Sequence, residues 1–262
     1  MVRTNGESTI LVAMSGDTRT IDLSRQVALV TGGSRGIGLA TAEALLAAGA
    51  GVVITGRDQS QLDEARARLA RGGSGRGQRL HHVRADVRDP HDAATAVAAA
   101  VERLGALDIL VNNAGVGIFR NVSDMDVSSW HDVIETNLSG VFFCCHAAIP
   151  HLRARGGGWI INISSLAGKN PFASGAAYCA SKAGLNAFSE ALMQEVRYDG
   201  IRVTYIMPGS VATGFGGGDP ARGEDWKIAP GDVAEVVVNL LRHNARSLPS
   251  RVELRPSKPP RK

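Results

Sequence analysis

The chain has 262 residues, of which 44% are hydrophobic and 21% are charged, with a formal net charge of +4. These proportions are close to those of globular proteins and exclude a disordered or fibrous chain, and the length fits one α/β domain. Apolar runs such as Val27–Val30 are far shorter than the ~18–20 residues of a membrane-spanning helix. We therefore expect no membrane segment.

The positive charge is concentrated near the C-terminus, because residues 242–262 contain seven Lys or Arg residues and one Glu. Aromatic residues are only 5% of the chain, whereas a nucleic-acid binder needs a basic face with aromatic or base-contacting groups. We therefore predict a basic C-terminal tail over 257–262 and no nucleic-acid partner. A salt-dependent DNA titration would distinguish the two interpretations of this charge.

Cysteine and histidine positions indicate neither a disulfide framework nor a metal site. Cys144, Cys145 and Cys179 are too few for a framework, and the histidines lack metal-ligand spacing. No segment near the N-terminus resembles a signal peptide. We predict buried, apolar cysteines, no metal, and a cytoplasmic location.

In chain order, residues 1–24 are polar and show no sustained hydrophobic periodicity. This predicts a flexible extension before a domain over 25–256. Short β-rich runs then alternate with Ala- and Leu-rich stretches at helical spacing. The predicted strands are Val27–Thr31, Val52–Thr55, Leu80–Val83, Leu107–Asn112, Trp159–Ile163, Arg202–Ile206 and Val252–Leu254. The predicted helices are Leu39–Ala48, Gln61–Ala70, Ala93–Arg103, Trp130–Leu152 and Tyr178–Tyr198. This alternation predicts a single-domain α/β fold, a Rossmann-type doubly wound parallel sheet of about seven strands with helices on both faces.

The first predicted strand runs into a glycine-rich turn and then directly into a helix. Glycines let the backbone adopt positive φ and approach phosphates, while a helix N-terminus offers free N–H groups and the positive end of its dipole. The turn contains Gly32, Ser34, Arg35, Gly36, Ile37 and Gly38. No Lys-Ser/Thr follows the last glycine, so this is not a Walker P-loop. We predict that it binds the pyrophosphate of a dinucleotide.

The end of the second predicted strand indicates which dinucleotide. An acidic residue commonly holds the adenosine ribose there, but this chain has Arg57. Arg57 can pair with a 2′-phosphate, and Arg35 can approach from the glycine turn. We therefore favour NADP(H) over NAD(H), and interpret Asp58 as the cap of the following helix.

In this order the motifs resemble the classical short-chain dehydrogenase/reductase (SDR) family over roughly residues 26–213. They are Thr31-Gly32-x-x-x-Gly36-x-Gly38, Asn112-Asn113-Ala114-Gly115, Asn137, Ser165, Tyr178-x-x-x-Lys182 and Pro208-Gly209. The resemblance implies that Asp86 and Val87 contact the adenine, and that Asn113, Ala114 and Gly115 border the ribose and diphosphate. It further implies that Pro208, Gly209, Val211 and Thr213 frame the nicotinamide.

The predicted reactive residues have a chemical rationale beside the resemblance. Tyr178 and Lys182 are four apart in a helical pattern, so both project from one face, and an ammonium there favours the phenolate. Tyr178 can then act as a general acid or base. The resemblance implies that Ser165 binds the substrate oxygen, with Ser164 supporting, and that Asn137 holds a water in a proton relay.

These observations predict an NADP(H)-dependent oxidoreductase that interconverts a carbonyl and an alcohol. The alternatives are a catalytically silent cofactor-binding sensor or scaffold, and a different reaction on the same fold, such as epimerisation or dehydration. Val116, Gly117, Lys169, Phe172 and the loop 214–226 are the predicted substrate walls. The resemblance also implies a homodimer or homotetramer that pairs the two longest predicted helices.

Overall fold

The computed structural model describes residues 21–72, 76–217 and 225–260, and in these ranges the predicted alternation of strands and helices is confirmed. The strands are β1 (Val27–Val30), β2 (Gly51–Gly56), β3 (Leu80–Arg84), β4 (Ile109–Asn112), β5 (Gly158–Ile163), β6 (Ile201–Pro208) and β7 (Arg251–Leu254). The α-helices are α1 (Gly36–Ala47), α2 (Gln59–Ala70), α3 (Pro90–Leu104), α4 (Val127–Ile134), α5 (Gly140–Ala154), α6 (Ala176–Val196) and α7 (Pro230–Leu241).

The seven strands form one parallel sheet in the order β3-β2-β1-β4-β5-β6-β7. Strands β2 and β3 are added on one side of β1, and β4 to β7 on the other, so the order of addition reverses between β1 and β4. In open α/β sheets, ligands bind at such a point, outside the carboxyl ends of the strands. The glycine turn follows β1 and residues 113–115 follow β4, so both predicted motifs lie at this point.

Both faces of the sheet are buried, as the unbroken apolar strand sequences require. Along β1, Ala28 and Val30 pack into the layer that contains α1, α2 and α7, whereas Val27 and Leu29 pack into the layer of α3, α5 and α6. The strand thus contributes alternate side chains to two cores, which anchors the loops at its carboxyl end between two packed layers.

Several predicted boundaries differ from the structure. The predicted 1–24 extension is wrong at its C-terminal end, because Leu23 is buried and its N–H donates to the Ala48 carbonyl at 2.7 Å. The first twenty residues lie outside the described part of the chain. Helix α7 was not predicted at all, although Pro230 opens it and Asp232 accepts a hydrogen bond from the Ala229 N–H.

The predicted helix Trp130–Leu152 is two helices joined by a π-helical turn, Glu135–Ser139. Asp126 caps α4 by accepting from the Ser129 N–H at 2.7 Å. Within the described ranges, the stretch 127–154 alone is long and apolar enough to cross a membrane, with a mean hydropathy of 1.2 and 44% of its apolar window buried. Core helices satisfy the same criterion, and α5 packs on α3 and the sheet.

Candidate active site

A continuous cavity of about 1940 Å³ runs along the carboxyl edge of the sheet. It exceeds the ~300–1,000 Å³ typical of sites for one small ligand, so it has room for a dinucleotide and a substrate together. All predicted site residues except Gly38 and Asn137 line it. They are Gly32, Ser34, Arg35, Gly36, Ile37, Arg57, Asp86, Val87, Asn113, Ala114, Gly115, Ser165, Tyr178, Lys182, Pro208, Gly209, Val211 and Thr213.

The glycine turn has the geometry of an anion site. Gly32 and Gly36 adopt φ of +62° and +54°, which disfavours any other residue. A Cβ on Gly38 would overlap the carbonyl oxygen of Gly32, so the turn can close only with glycine there. Helix α1 has no side-chain cap and no acid in its first turn, which leaves its first N–H groups available to an anion.

The segment after β4 holds this turn in place. The Asn113 side-chain amide donates to the carbonyls of Thr31 and Gly32, both at 3.0 Å. The Thr31 hydroxyl accepts from the N–H groups of Asn113 and Ala114 at 3.0 and 3.1 Å. Asn112 turns the other way, into the core, and donates to Asn162 at 2.9 Å. The two adjacent asparagines therefore serve opposite sides of the strand end.

The end of the cavity beside the glycine turn and β2 is lined by three arginines together with the acids Glu43, Asp58 and Asp86. Arg35 and Arg57 line it as predicted, and so does Arg68 of α2, which the sequence analysis missed. The sequence signal for Arg68 was its spacing of seven residues from Gln61, because residues seven apart share a helix face. Gln61 and Arg68 both line the cavity. Asp58 accepts from the Gln61 N–H at 3.2 Å, which confirms it as the cap of α2.

Asp86 follows β3 and is held by Arg88, whose guanidinium lies 2.6 Å from its carboxylate. Burial opposes ionisation of Asp86, but the hydrogen bonds from Arg88 outweigh it, so the pKa of Asp86 is lowered. The carboxylate therefore stays charged and oriented at the cavity wall.

At the opposite end, Tyr178 and Lys182 project from successive turns of α6. The Lys182 Nζ lies 5.9 Å from the centroid of the Tyr178 ring and donates to the Ile163 carbonyl at 2.8 Å. Burial lowers the pKa of Lys182 to about 8. Burial raises the pKa of Tyr178, while a hydrogen bond with Ser165 acts in the opposite direction.

The two serines after β5 have different surroundings. Ser165 lines the cavity beside Tyr178, and its hydroxyl accepts from the Ala167 N–H at 3.1 Å. Ser164 is buried, and its hydroxyl donates to the side-chain carbonyl of Asn186 on α6. That Ser165 binds the substrate oxygen and Ser164 supports it stays a prediction.

Asn137 lies in the π-helical turn and is completely buried. Its side chain accepts from the Val116 N–H at 2.8 Å and donates to the Val116 carbonyl at 2.9 Å and to Ser181 at 3.1 Å. The Ser181 hydroxyl in turn donates to the Tyr178 carbonyl at 2.8 Å. Asn137 therefore ties the cavity wall to α6, and its predicted role in a water relay stays a prediction.

The substrate side differs in part from the predicted walls. Val116, Phe172, Gly214, Phe215 and Trp226 line the cavity, whereas residues 218–224 lie outside the described part of the chain. Lys169 turns away and pairs with Glu253 at 2.7 Å. Phe119 lines the cavity but was not predicted.

The predicted basic C-terminal tail contributes residues to the cavity wall. Although residues 257–260 are exposed, Pro259 and Pro260 line the cavity together with Arg255 and Pro256. The preceding strand β7 lies at the sheet edge beside β6, which brings the tail back across the site.

Cys144 and Cys145 are buried on α5, and burial raises the pKa of Cys144 to about 12, so both behave as the predicted small apolar residues. Cys179 is buried as well. Within residues 21–72, 76–217 and 225–260, no cluster of three or more His, Cys, Asp or Glu side chains could hold a metal ion.

Comparison with known proteins shows the family. The model of the short chain dehydrogenases matches residues 26–221. An uncharacterized oxidoreductase of Staphylococcus saprophyticus is 34% identical to this chain, and the match covers 90% of this chain and 99% of that protein's length. The trans-4-hydroxycyclohexanecarboxylate dehydrogenase of Sinomonas cyclohexanicum is 42% identical over 73% of this chain and 74% of its own. The chain therefore belongs to the short-chain dehydrogenase/reductase family and is an oxidoreductase of that type.

A solved structure with this fold contains a nicotinamide dinucleotide. A metagenomic short-chain oxidoreductase in complex with NADP superposes with a TM-score of 0.77 at 38% identity, covering 90% of this chain and 99% of its own.

Proposed function

We propose that the protein is an NADP(H)-dependent oxidoreductase that interconverts a carbonyl and a secondary or primary alcohol. The observation that carries the proposal is the buried Lys182 ammonium, 5.9 Å from the ring of Tyr178 at the wall of a cavity that also contains Ser165. A buried cation beside a phenol has a chemical use, because it lowers the cost of forming the phenolate.

The residues fit a bound dinucleotide. The cradle formed by Gly32 and Gly38 leaves no space for a Cβ, and the uncapped N-terminus of α1 faces the same cavity, so backbone N–H groups are available to a pyrophosphate. Asp86 and Val87 would border the adenine, and Pro208–Thr213 the nicotinamide. When bound, the cofactor supplies or accepts the hydride at the substrate carbon.

Cofactor preference follows from charge. Arg35, Arg57 and Arg68 line the adenosine end, and the nearest acid after β2, Asp58, is engaged in capping α2. A 2′-phosphate would be stabilised there by charge-assisted hydrogen bonds. The NADP-bound relative described above supports this preference.

The chain's own residues then move the proton. In reduction, the Tyr178 hydroxyl donates its proton to the carbonyl oxygen, while the Ser165 hydroxyl donates a hydrogen bond to the same oxygen. Lys182 stabilises the resulting phenolate, and in alcohol oxidation the phenolate accepts the hydroxyl proton. Asn137 positions the wall at Val116 against α6.

The decisive experiment follows nicotinamide absorbance with NADPH and then with NADH over a panel of ketones and aldehydes. We expect turnover with NADPH, weaker turnover with NADH, and loss of turnover in Tyr178→Phe with unchanged cofactor binding. Activity retained in Tyr178→Phe would refute the proposed acid. Cofactor binding without turnover of any carbonyl or alcohol would favour a sensor or scaffold.

We also propose a cytoplasmic homo-oligomer. Trp130 on α4 and Phe142 on α5 are 41% and 48% exposed, and large apolar groups on neighbouring helix faces are typical of subunit contacts. Light scattering tests this, since a clean monomer would overturn it.

A further inference from the structure

The substrate end of the cavity is walled by three phenylalanine rings, two of which contact Tyr178. Phe119, Phe172 and Phe215 follow β4, β5 and β6, respectively, and all three line the cavity. The centroid of Phe119 lies 5.5 Å from Tyr178 and 5.7 Å from Phe172, and Phe215 lies 5.6 Å from Tyr178. We call these three side chains the phenylalanine box.

The backbone around the box is built to accept the rings. A Cβ on Gly117 would lie 2.5 Å from Phe215 and 2.9 Å from Phe119, and a Cβ on Gly175 would lie 2.6 Å from Phe172. Real Cβ atoms do not approach this closely, so glycine is required at both positions if the rings are to keep their places. Three connections that are distant in sequence are thus shaped around one apolar wall.

The box remains open to a ligand. Phe119, Phe172 and Phe215 are 41%, 49% and 40% exposed, so each ring keeps much of its apolar surface in contact with the cavity or with water. Aromatic side chains gain free energy when such surface is covered, and they gain more when the partner is another ring at an edge or offset-face distance. Covering this surface is therefore favourable for an apolar occupant.

Charges near the box in sequence are engaged elsewhere. Arg120, beside Phe119, pairs with Asp126 at 2.9 Å, and Lys169 pairs with Glu253 at 2.7 Å. Neither Arg120 nor Lys169 lines the cavity, and its acidic lining residues, Glu43, Asp58 and Asp86, lie at the adenosine end. Of the other cations that line the cavity, Arg255 pairs with Glu253 at 2.7 Å and Lys227 lies 5.7 Å from the Trp226 ring centroid, so within the described ranges the wall formed by the box is apolar.

We infer that the phenylalanine box binds an uncharged aromatic substituent on the reacting carbon, so that the substrates are aryl ketones and the matching secondary alcohols. This inference rests on the proposed function, because it assumes that the carbonyl oxygen lies at Tyr178 and Ser165. Phe119 and Phe215 contact the Tyr178 ring, and Phe172 contacts Phe119, so a substituent on that carbon lies beside this wall.

The test compares acetophenone with butan-2-one in the whole enzyme with NADPH. In Phe172→Ala and Phe119→Ala, we expect kcat/KM for acetophenone to fall about tenfold, as removal of one aromatic contact predicts, while kcat/KM for butan-2-one changes less than about twofold. Phe172→Leu separates a purely apolar contact from an aromatic one. Tyr198→Ala is the control, because Tyr198 in the turn after α6 is an aromatic side chain that is 92% exposed and does not line the cavity.

A binding measurement makes the test independent of turnover. Saturation-transfer NMR of 1-phenylethanol with enzyme and NADP⁺ should show contact of its ring protons with the wild type and with Tyr198→Ala, and weaker contact with Phe172→Ala. Equal losses for both ketones, or equal ring contact in all variants, would overturn the inference. If no carbonyl oxidises NADPH, the proposed function fails, and the NMR result still decides whether the box binds aryl groups.

Discussion

Replacing Lys182 by methionine is expected to raise the pKa of Tyr178. Lys182 Nζ is buried and lies 5.9 Å from the Tyr178 ring centroid. At an effective dielectric constant of about 20, unit charges ~6 Å apart interact by about 3 kcal/mol, or about two pKa units. Removal of this cation should therefore raise the pKa of Tyr178 by about two units.

The assay is the pH dependence of NADP⁺-linked alcohol oxidation, in which Tyr178 must first be ionised. In Lys182→Met, the rise of the rate with pH should move upward by about two pH units, which lowers the rate roughly 100-fold below that rise. Lys169→Met is the matched control, since Lys169 is half exposed and its ammonium is paired with Glu253. Identical pH profiles for the wild type and Lys182→Met would refute the electrostatic argument.

Three further outcomes follow from the same contacts. Folding lowers the pKa of Lys182 from 10.5 to about 8, so between these pH values the unfolded chain binds more protons than the folded one. The free energy of unfolding in urea should therefore rise from pH 8 to pH 10 in the wild type but not in Lys182→Met. Gly38→Ala should abolish cofactor binding by calorimetry, whereas Gly231→Ala, with nothing within 4 Å of its Cβ, should not lower stability. Asn137→Ala leaves both backbone groups of Val116 unpaired and should cost about 2–4 kcal/mol in urea unfolding.

Each of these outcomes has a contradicting result. A wild-type stability with the same dependence on alkaline pH as that of Lys182→Met would show that folding does not lower the pKa of Lys182. Normal cofactor affinity in Gly38→Ala would show that the turn tolerates a Cβ. Full stability of Asn137→Ala would mean that water replaces the amide.

Local sequence determined the frame of this protein. The hydrophobic periodicity of the strands and helices indicated a sheet covered on both faces, and the glycine turn between β1 and α1 indicated an anion site. Both signals were readable because each arises within one element and its flanking turn. The four-residue spacing of Tyr178 and Lys182 likewise placed both on one face of α6. Asp58 was identified as a cap because that role depends on the next three residues alone.

Tertiary structure decided which distant residues share the site. Asn112 and Asn113 are adjacent and chemically identical, yet Asn112 bonds to Asn162 in the core and Asn113 closes the glycine turn. Successive side chains at a strand end point to opposite faces, but their partners depend on which strands are neighbours. No local sequence pattern predicts the order of the strands in the sheet.

The substrate wall is the clearest case. Phe119, Phe172 and Phe215 belong to three separate connections, and each by itself is an ordinary phenylalanine in a loop. They meet around Tyr178 because β4, β5 and β6 are adjacent and parallel, so the segments that follow them emerge at the same sheet edge. The tail at Pro259 and Pro260 reaches the cavity through the same geometry, by way of β7. Sequence periodicity describes a residue's own element, whereas a binding site is formed between elements, and only the packed sheet specifies that arrangement.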